Sequence, residues 1–385
     1  MNVLSLFDGI SCGMVALERA GIPVDRYIAY EIDKYAIQTS EKNYPEIVRR
    51  GNVFEGGFSD YQGIDLLIGG SPCTYWSIAK RDRETDCGGE GFKLFMQYVR
   101  ALDDTGAQYF LYENNFSIHQ NIKDEISRRL GVQPVMINSA LVSAQQRKRC
   151  YWTNIPNITQ PADKGILLKD IIDNAVPWQG KSYCLTANYS GAYLKNTLER
   201  HLRTMVAVPI RIGDIGSNAQ AHRVYSVHGK SITLSANNGG QGGGTGLYAV
   251  PAMRVTEGTK QGCVDIMPGE CVDLSYPNSK SRRGRAMREK SHCLTTSCNF
   301  YQYCGTTDKP IYKVENGLIE IDGKPYPIKI KDGCYIIRKL SPVECERLQT
   351  LPDNYTAGVS DRQRYRRLGN GWTVDVIAHI LGGLI

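Results

Sequence analysis

Short apolar runs alternate with segments of helical periodicity through the first third of the chain. The apolar runs predict four buried strands, at Val3–Phe7, Tyr27–Tyr30, Ile64–Ile68 and Gln108–Tyr112. Helical spacing between them predicts helices over Met14–Ala20 and Phe92–Leu102. Because strands that alternate with helices usually form a parallel sheet covered on both faces, the pattern predicts an α/β fold with a doubly wound, mostly parallel sheet.

The pattern changes after Pro156 to short strand-like runs broken by Gly, Pro and Asn. Helical periodicity returns only at Ser341–Thr350 and Val374–Leu384. These changes predict three segments. Residues 1–155 begin the α/β domain, residues 156–335 form a smaller β-rich domain, and residues 336–385 return to the first domain.

A short motif occurs three times in the middle of the chain, at Lys181–Ala187, Lys230–Ala236 and Lys290–Thr296. Each copy alternates polar and apolar residues and is followed by aromatic ones. One interpretation is a β-hairpin module that is reused to build a sheet. The other is that each copy places a lysine, hydroxyl groups and an aromatic ring at a nucleic-acid surface.

Positive charge is concentrated in the predicted β-rich domain. The 385-residue chain has a net charge of +7, from 46 Lys and Arg against 39 Asp and Glu. Residues 155–335 hold 22 of the positive and 15 of the negative residues, so they carry the whole excess. A basic run at 281–290 contributes five of the positive charges. Such a run is often only a solvated face, but a neutral body with a basic insert is typical of an enzyme that binds a polyanion.

Several classes of protein are disfavoured. No apolar run approaches the roughly 20 residues of a membrane span, and Met1–Phe7 leads directly into a glycine-containing turn, so we expect neither a membrane span nor a signal peptide. The 12 cysteines form no C-x-x-C pair, which favours reduced thiols in a cytoplasm. Cys293, Cys298 and Cys304 have poor spacing for zinc, and we predict no metal site.

Polar and reactive residues follow the predicted strands at their carboxyl ends, where ligands bind in open α/β sheets. Gly69-Gly70-Ser71-Pro72-Cys73 follows the third strand, while Glu31 and Glu113 end the second and fourth. A free cysteine is most often a small core residue. The position of Cys73 at the mouth of the sheet also makes it a candidate nucleophile, and its neighbours must decide between the two.

The loop Phe7-Asp8-Gly9-Ile10-Ser11-Cys12-Gly13 joins the first strand to the first helix, as a loop that binds a nucleoside cofactor does. Glu31, about twenty residues further on, can accept hydrogen bonds from ribose hydroxyls. Because the loop lacks the full dinucleotide fingerprint, a mononucleoside cofactor such as S-adenosylmethionine fits better than NAD.

Two other segments carry candidate chemistry. Gln145-Gln146-Arg147-Lys148-Arg149 places two arginines on one face if it is extended. Alone it is a solvated basic strand, but a guanidinium fork there can also hold a carboxylate or a phosphate. Near the C-terminus, Arg367–Val374 predicts a glycine-rich turn that leads into the last helix.

Taken together and in this order, these segments resemble the DNA cytosine-5 methyltransferase family. The resemblance covers roughly residues 1–155 and 335–385, and the basic middle falls where that family keeps its variable target-recognition domain. Some short segments of the sequence are similar to the animal de novo methyltransferases. A chain without regulatory domains is more similar to a bacterial or phage enzyme. The motifs that carry the resemblance are the loop at Phe7–Gly13, Pro72-Cys73, Glu113-Asn114, the arginines at 145–149 and Gly369-Asn370.

The resemblance implies a class I S-adenosylmethionine-dependent methyltransferase fold and transfer of a methyl group to C5 of a cytosine that is flipped out of duplex DNA. In that mechanism the thiolate of Cys73 bonds to C6 of the base, and Glu113 holds the N3 edge. Arg149, with Arg147, orients Glu113 and contacts the base. The same resemblance implies S-adenosylmethionine as cofactor and the following cofactor-binding residues: Phe7, Asp8, Gly9, Ile10, Gly13, Glu31, Ile32, Asn52, Val53, Gly70, Pro72, Asn370 and Trp372.

Residues that bind DNA are expected in two places. The segment 74–92 is placed to close over the flipped base, and the basic middle is expected to contact the duplex. The candidates are Ser77, Lys80, Arg81, Arg83, Gln145, Lys181, Lys230, Arg282, Arg283, Arg285 and Lys290.

The chain departs from the family pattern at three positions. Asn52 stands where Asp is usual, Asn115 where Val is usual and Thr74 where Gln is common. Two alternatives remain: a cytosine-5 methyltransferase that acts on tRNA, and a catalytically silent DNA-binding relative. We expect a monomer in the cytoplasm of a bacterium or a phage-infected host, with double-stranded DNA as partner. The resemblance leaves open whether a cognate restriction endonuclease accompanies the enzyme or none does.

Overall fold

The computed structural model describes residues 1–77, 82–209, 211–214, 223–226, 247–249, 253–256, 259–260, 263–266, 271–273, 286–287, 300–302 and 311–385. The chain forms two compact units. The first consists of Met1–Asp173, Gln179–Met205 and Lys339–Ile385, and the second of Asn174–Trp178 and Val206–Arg338.

A seven-stranded sheet forms the centre of the first unit. Its strands lie in the order β3-β2-β1-β4-β5-β7-β6. The first five strands of the chain are parallel, and β7 runs antiparallel between β5 and β6. The strands are β1 (Asn2–Leu6), β2 (Arg26–Tyr30), β3 (Val48–Arg50), β4 (Leu66–Gly69), β5 (Tyr109–Asn115), β6 (Val135–Asn138) and β7 (Lys148–Thr153).

Eight helices belong to the described part of the first unit. They are α1 (Cys12–Arg19), α2 (Lys34–Asn43), α3 (Glu90–Thr105), α4 (Gln120–Leu130), α5 (Leu194–Arg200), α6 (Pro342–Leu348), α7 (Asp361–Asn370) and α8 (Val374–Leu381). Apolar side chains of the strands and helices form one core, in which Trp76, Phe95, Tyr112 and Trp152 are fully buried. The predicted α/β fold with a mostly parallel sheet is confirmed.

The strand order creates a crevice beside the centre of the sheet. The chain moves outward from β1 to β2 on one side, and then returns so that β4 pairs with the other side of β1. Connections that leave neighbouring strands in opposite directions open a ligand-binding crevice at the carboxyl ends of those strands. The loop after β1 and the Cys73 loop after β4 border that crevice.

The second unit is built from short strands, mostly antiparallel, which agrees with a smaller β-rich domain. Its largest described sheet has the order β19-β18-β17-β20-β8. The strands are β8 (Met205–Pro209), β9 (Arg211–Asp214), β10 (Arg223–Ser226), β11 (Leu247–Ala249), β12 (Met253–Thr256), β13 (Cys263–Ile266), β14 (Cys271–Asp273), β15 (Ala286–Met287), β16 (Phe300–Gln302), β17 (Ile311–Glu315), β18 (Leu318–Ile321), β19 (Lys324–Pro327) and β20 (Gly333–Lys339).

Local structure differs from the sequence-based expectation at several points. The helices α2, α4 and α7 follow polar, charge-rich sequence, so apolar periodicity did not mark them. The expected turn at Arg367–Val374 is shorter, because α7 continues through Gly369 to Asn370. β5 continues past Glu113 to Asn115, because β7 pairs with its last residues.

The first unit also retains more of the chain than residues 1–155 and 336–385. Residues 156–173 and 179–205 belong to it. Leu168, Leu185 and Tyr189 are buried there, and the Tyr189 hydroxyl accepts a hydrogen bond from the Leu340 N–H at 2.9 Å. Among the described residues, no helix is both long and apolar enough to cross a membrane.

Candidate active site

Cys73 begins a short 3-10 turn, Cys73–Tyr75, directly after the β4 loop. Its carbonyl oxygen accepts hydrogen bonds from the N–H groups of Trp76, at 3.0 Å, and Ser77, at 2.9 Å. The thiol is half-buried and free. The turn therefore fixes the backbone of Cys73 at the mouth of the sheet while the sulfur stays accessible.

Glu113 and Arg149 form an ion pair because of the strand register. β5 and β7 are antiparallel, with Asn115 opposite Arg149 and Glu113 opposite Tyr151. Residues two apart on a strand share a face, so Glu113 and Arg149 are diagonal neighbours. The Arg149 Nε donates to Glu113 Oε1 at 2.9 Å, and both side chains are mostly buried.

Trp372 donates to the other oxygen of the same carboxylate. Its indole Nε1 lies 3.0 Å from Glu113 Oε2. Gly70 lets the carboxylate approach the β4 loop, because a Cβ there would lie 2.8 Å from the Glu113 carbonyl oxygen and 3.0 Å from Oε2. The Glu113 side chain is thus held on two sides and packed closely against the loop that carries Cys73.

Asn114 joins the end of β5 to the same loop. Its Nδ2 donates to the Ser71 carbonyl oxygen and to the Tyr112 hydroxyl, each at 3.2 Å. The hydroxyls of Ser71 and Tyr112 are also hydrogen-bonded, at 2.7 Å. This buried network fixes the distance between the strand end that bears Glu113 and the loop that bears Cys73.

Arg147 has partners different from those of Arg149. Its guanidinium donates to three carbonyl oxygens, those of Leu185 at 2.9 Å, Gly371 at 2.8 Å and Gly369 at 3.3 Å. The side chain is buried. Sequence reasoning grouped Arg147 with the catalytic residues, whereas here it holds the turn after α7 against residues 184–187.

Cys184 is a second thiol beside these arginines. Arg147 Nη1 lies 3.5 Å and Arg149 Nη2 lies 4.0 Å from its sulfur. Burial opposes ionisation of this thiol, but the two positive charges and their hydrogen bonds outweigh burial and lower its pKa. Burial likewise opposes the charge of Arg149, yet the negative charges of Cys184, Glu113 and Cys73 raise the pKa of Arg149.

The loop after β1 and the end of β2 form the candidate cofactor cradle. Gly9 has a left-handed backbone with φ of 62° and donates its N–H to Glu31 Oε2 at 2.8 Å. Glu31 Oε1 accepts the N–H groups of Ile32 and Asp33, each at 2.8 Å. Burial raises the pKa of Glu31 although these hydrogen bonds oppose the shift.

The neighbouring edge presents apolar surface. β2 and β3 are parallel in register, so the residues that follow them, Ile32 and Asn52, lie at the same edge of the sheet. Ile32 is 74% exposed and Phe54 is 47% exposed. The Asn52 side-chain oxygen accepts the Phe54 N–H at 3.1 Å, and Val53 is buried beneath this turn. The result is a carboxylate next to exposed apolar side chains.

Other candidate cofactor residues have mainly structural contacts. Asp8 Oδ1 accepts from the hydroxyls of Ser5 and Tyr27, each at 2.7 Å, and Ile10 is buried. The remaining candidates are distributed around the crevice: Phe7 has φ of 59°, Gly13 lies in α1, Gly70 and Pro72 are in the Cys73 loop, and Asn370 is the exposed last residue of α7.

Gln145 and Lys181, both expected at a DNA surface, point into the protein. Gln145 is fully buried, and its amide donates to the Leu348 carbonyl at 2.7 Å and to Gln349 Oε1 at 2.9 Å. The Lys181 ammonium donates to carbonyl oxygens of residues 140, 143 and 166. These internal contacts do not support the expected contact of either side chain with DNA.

The first copy of the repeated motif also differs from expectation. Lys181–Ala187 contains only one isolated bridge, Gln145 to Ser182, so it is an irregular segment and not a hairpin. It packs closely under the last turn of α7, because a Cβ on Gly369 would overlap the backbone of Thr186 and Ala187. The second and third copies lie outside the described residues.

The segment after Cys73 is tied down at two points. Trp76 Nε1 donates to Glu84 Oε2 at 3.0 Å, and the same oxygen accepts the Gly91 N–H at 3.1 Å. Arg83 Nη1 donates to the Ser117 carbonyl at 3.0 Å. Six candidate DNA-binding residues besides Lys80 lie outside the described residues: Arg81, Lys230, Arg282, Arg283, Arg285 and Lys290.

Within the described ranges, no group of three or more His, Cys, Asp and Glu side chains could hold a metal ion. Six cysteines are free: Cys12, Cys73, Cys87, Cys150, Cys184 and Cys345. Cys293, Cys298 and Cys304 lie outside these ranges.

Sequence reasoning did not find the bond from Trp372 to Glu113, nor the position of Cys184. Trp372 was expected only to line the cofactor site. Its partner is 259 residues away in sequence, and no local pattern marks such a contact. Cys184 belongs to the repeated motif, whose spacing indicated a strand and not a neighbour of two arginines.

Comparison with known proteins gives a consistent result. The sequence model of the family described as C-5 cytosine-specific DNA methylase matches residues 1–385 of this chain. The orphan methyltransferase M.SPRI of Bacillus phage SPR is 25% identical over 100% of this chain and 97% of its own length, and M.Rho11sI of Bacillus phage rho11s is 24% identical over 100% and 98%. A solved structure of the Entamoeba histolytica methyltransferase EhMeth shares the fold, with a TM-score of 0.52 and 16% identity, over 100% of this chain and 97% of that one. The chain belongs to the C-5 cytosine-specific DNA methylase family, and it is a DNA (cytosine-5-)-methyltransferase.

Proposed function

We propose that this enzyme transfers a methyl group from S-adenosylmethionine to C5 of a flipped-out cytosine in duplex DNA, through a covalent bond from Cys73 to C6. The observation that carries the proposal is the Glu113 carboxylate, held by Arg149 at 2.9 Å and packed against the β4 loop that bears Cys73. In one crevice, Glu113 can hold the edge of the target base while Cys73 acts as the nucleophile.

The cofactor cradle fits a nucleoside. Glu31 at the end of β2 supplies acceptor oxygens for ribose hydroxyls, and Ile32 and Phe54 supply exposed apolar surface for a purine ring. The loop at 7–13 supplies a close backbone approach through Gly9. When bound, S-adenosylmethionine supplies an electrophilic methyl group.

In the proposed chemistry Cys73 acts first. Its thiolate forms a bond to C6, and the π electrons of the C5–C6 double bond move toward C5 and the N3–O2 edge of the ring. Glu113 holds that edge and donates a proton to N3 as the charge develops, and Arg149 balances the carboxylate that remains. After methylation, the C5 proton leaves to solvent, the S–C6 bond breaks and the double bond re-forms. The free Cys73 thiolate is then ready for another cycle.

Base access requires extrusion of the cytosine from the duplex, which costs a few kcal/mol of stacking and pairing. The segment after Cys73, anchored through Trp76, Glu84 and Arg83, is positioned to cover the extruded base. The second unit is proposed as the target-recognition domain, because residues 155–335 carry the chain's excess positive charge.

A patch of the first unit is suited to the DNA backbone next to the base. Phe116 is 39% exposed three residues after Glu113, and the ammonium groups of Lys123 and Lys148 lie 4.6 and 5.9 Å from its ring centre. Neither lysine forms an ion pair with any residue that the structure describes. Two free cations beside an aromatic ring favour a phosphate and sugar contact.

The direct test incubates the protein with labelled S-adenosylmethionine and either duplex DNA or tRNA, with Cys73→Ala as control. We expect label only in duplex cytosines and none with the variant. Bisulfite sequencing of a host genome that expresses the chain then gives the recognised sequence. Equal transfer by Cys73→Ala, or transfer to tRNA alone, would show that the proposal is wrong.

A second test addresses the covalent step. Duplex DNA with 5-fluorocytosine at the target should trap the adduct, because fluorine at C5 cannot leave as a proton does. We expect a complex that survives denaturing electrophoresis for the wild type and none for Cys73→Ala. A denaturation-sensitive complex from an active wild-type enzyme would contradict covalent catalysis.

A further inference from the structure

The catalytic carboxylate has a second anchor besides the arginine. Glu113 Oε1 accepts from Arg149 Nε at 2.9 Å, and Glu113 Oε2 accepts from Trp372 Nε1 at 3.0 Å. An ionised carboxylate has about four lone-pair positions. One bond on each oxygen stops rotation of the carboxylate and leaves a position on each oxygen for a ligand.

Trp372 is itself held from both sides of its backbone. The preceding Gly371 carbonyl accepts from Arg147 at 2.8 Å. The following Thr373 is buried, and its hydroxyl donates to Gln349 Oε1 at 2.9 Å. The indole is therefore presented to Glu113 by a turn that cannot move freely.

The same turn contacts the helix that follows the cofactor loop. Cys12 is the first residue of α1, and a Cβ on Gly371 would lie 3.4 Å from its sulfur. Burial raises the pKa of Cys12 to about 12, although a hydrogen bond with the Trp372 backbone opposes that shift. The backbone of Trp372 thus lies against the cofactor side of the crevice while its side chain reaches the base side.

We propose that Trp372 is a positioning residue for the reaction, whose indole N–H orients Glu113 against the target base. This role rests on the proposed function and goes beyond lining the cofactor site. It explains why one residue contacts both sides of the crevice. Because hydrogen bonds to charged groups are stronger than those between neutral groups, loss of this bond loosens Glu113 even when Arg149 is present.

The informative variant is Trp372→Phe, which keeps an apolar ring against the cofactor side and removes only the N–H. We expect kcat for DNA methylation to fall about 10- to 100-fold, the loss typical of one hydrogen bond to a charged group. The dissociation constant for S-adenosylmethionine, measured by calorimetry without DNA, should stay within about threefold of wild type. Trp372→Ala should weaken both quantities.

Trp152→Phe is a matched control. Its indole N–H donates to the Ser127 hydroxyl at 2.9 Å in the core, so the substitution also removes one indole hydrogen bond. We expect a lower melting temperature and an unchanged kcat. A wild-type kcat for Trp372→Phe, or a fall in the methylation rate that saturating cofactor restores, would overturn the positioning role.

A spectroscopic measurement tests the contact without relying on catalysis. The chain has four tryptophans, so 5-fluorotryptophan labelling gives four fluorine resonances that Trp→Phe variants assign. Glu113→Gln should shift the Trp372 resonance and leave that of Trp152 in place. An unmoved Trp372 signal refutes the inference. If the wild type transfers no methyl group while Glu113→Gln shifts this signal, the proposed function fails and the contact stands.

Discussion

Arg147 and Arg149 are two residues apart, yet the structure gives them different tasks, and substitution should separate them. Arg147→Met removes a buried guanidinium that donates to the carbonyl oxygens of Leu185, Gly369 and Gly371. Methionine fills similar space but removes this donor from all three oxygens, and only long contacts remain, from Gln349 Nε2 to Gly371 at 3.3 Å and from the Cys184 sulfur to Leu185 at 3.6 Å. We expect Arg147→Met to destabilise the first unit and to loosen the turn after α7.

The size of the effect follows from the three bonds. Two are short, at 2.8 and 2.9 Å, and the third is 3.3 Å. A buried acceptor that loses its partner costs about 1–3 kcal/mol. At about 1 kcal/mol for each acceptor the total is about 3 kcal/mol. For a unit of this size, with about 2 °C per kcal/mol, the melting temperature should fall by about 6 °C.

The assay is thermal unfolding followed by circular dichroism, combined with cofactor titration. Lys148→Met is the control between the two arginines, because its side chain is exposed, and its stability should change by less than about 0.5 kcal/mol. Arg149→Met should abolish most methyl transfer, because Glu113 loses its ion pair. If Arg147→Met melts within about 1 °C of wild type, the assignment of Arg147 to the turn is wrong.

Three further outcomes are expected. Replacing both Lys123 and Lys148 with Gln should reduce the slope of log Kd for duplex DNA against log salt by about 2, since each phosphate contact contributes about 0.9. The control is Lys42→Gln, at the end of α2 on the opposite edge of the sheet, which should leave this slope unchanged. Burial opposes the thiolate of Cys184, but the neighbouring arginines lower its pKa below 9.0. The free energy of unfolding of the wild type should therefore rise relative to Cys184→Ala as the pH rises toward about 9, and this gain should be lost as the pH falls through the folded pKa. Urea titrations at several pH values that give the opposite sign would contradict this. Gly70→Ala should lower kcat more than about tenfold, because the new Cβ would lie 2.8 Å from the carbonyl oxygen of Glu113. Equal activity of the two forms would show that Glu113 can shift freely.

The sequence predicted the fold and the position of the crevice for a local reason. Apolar runs of strand length and helical spacing are properties of neighbouring residues, so β1, β2, β4 and β5 could be located within one to three residues. Residues that follow parallel strands meet at one edge. Glu31, Cys73 and Glu113 were therefore expected near one another without any knowledge of their contacts.

Three candidate residues have contacts that the sequence did not indicate. Gln145, Arg147 and Lys181 are polar residues in a basic context, and sequence gives no sign of whether such a side chain faces water. In the folded chain all three donate to carbonyl oxygens inside the first unit. Burial of a polar group is favourable only when partners are available, and those partners come from distant segments.

What the sequence by itself determined is the position of four strands along the chain, the loops at their ends and the reactive groups those loops carry. Only the tertiary structure decided which of these groups touch. Register between β5 and β7 brings Arg149 to Glu113, and the return of the C-terminal segment brings Trp372 to the same carboxylate from 259 residues away. The physical reason is that periodicity and turn chemistry act over a few residues, whereas a hydrogen bond between distant segments exists only after the core has packed.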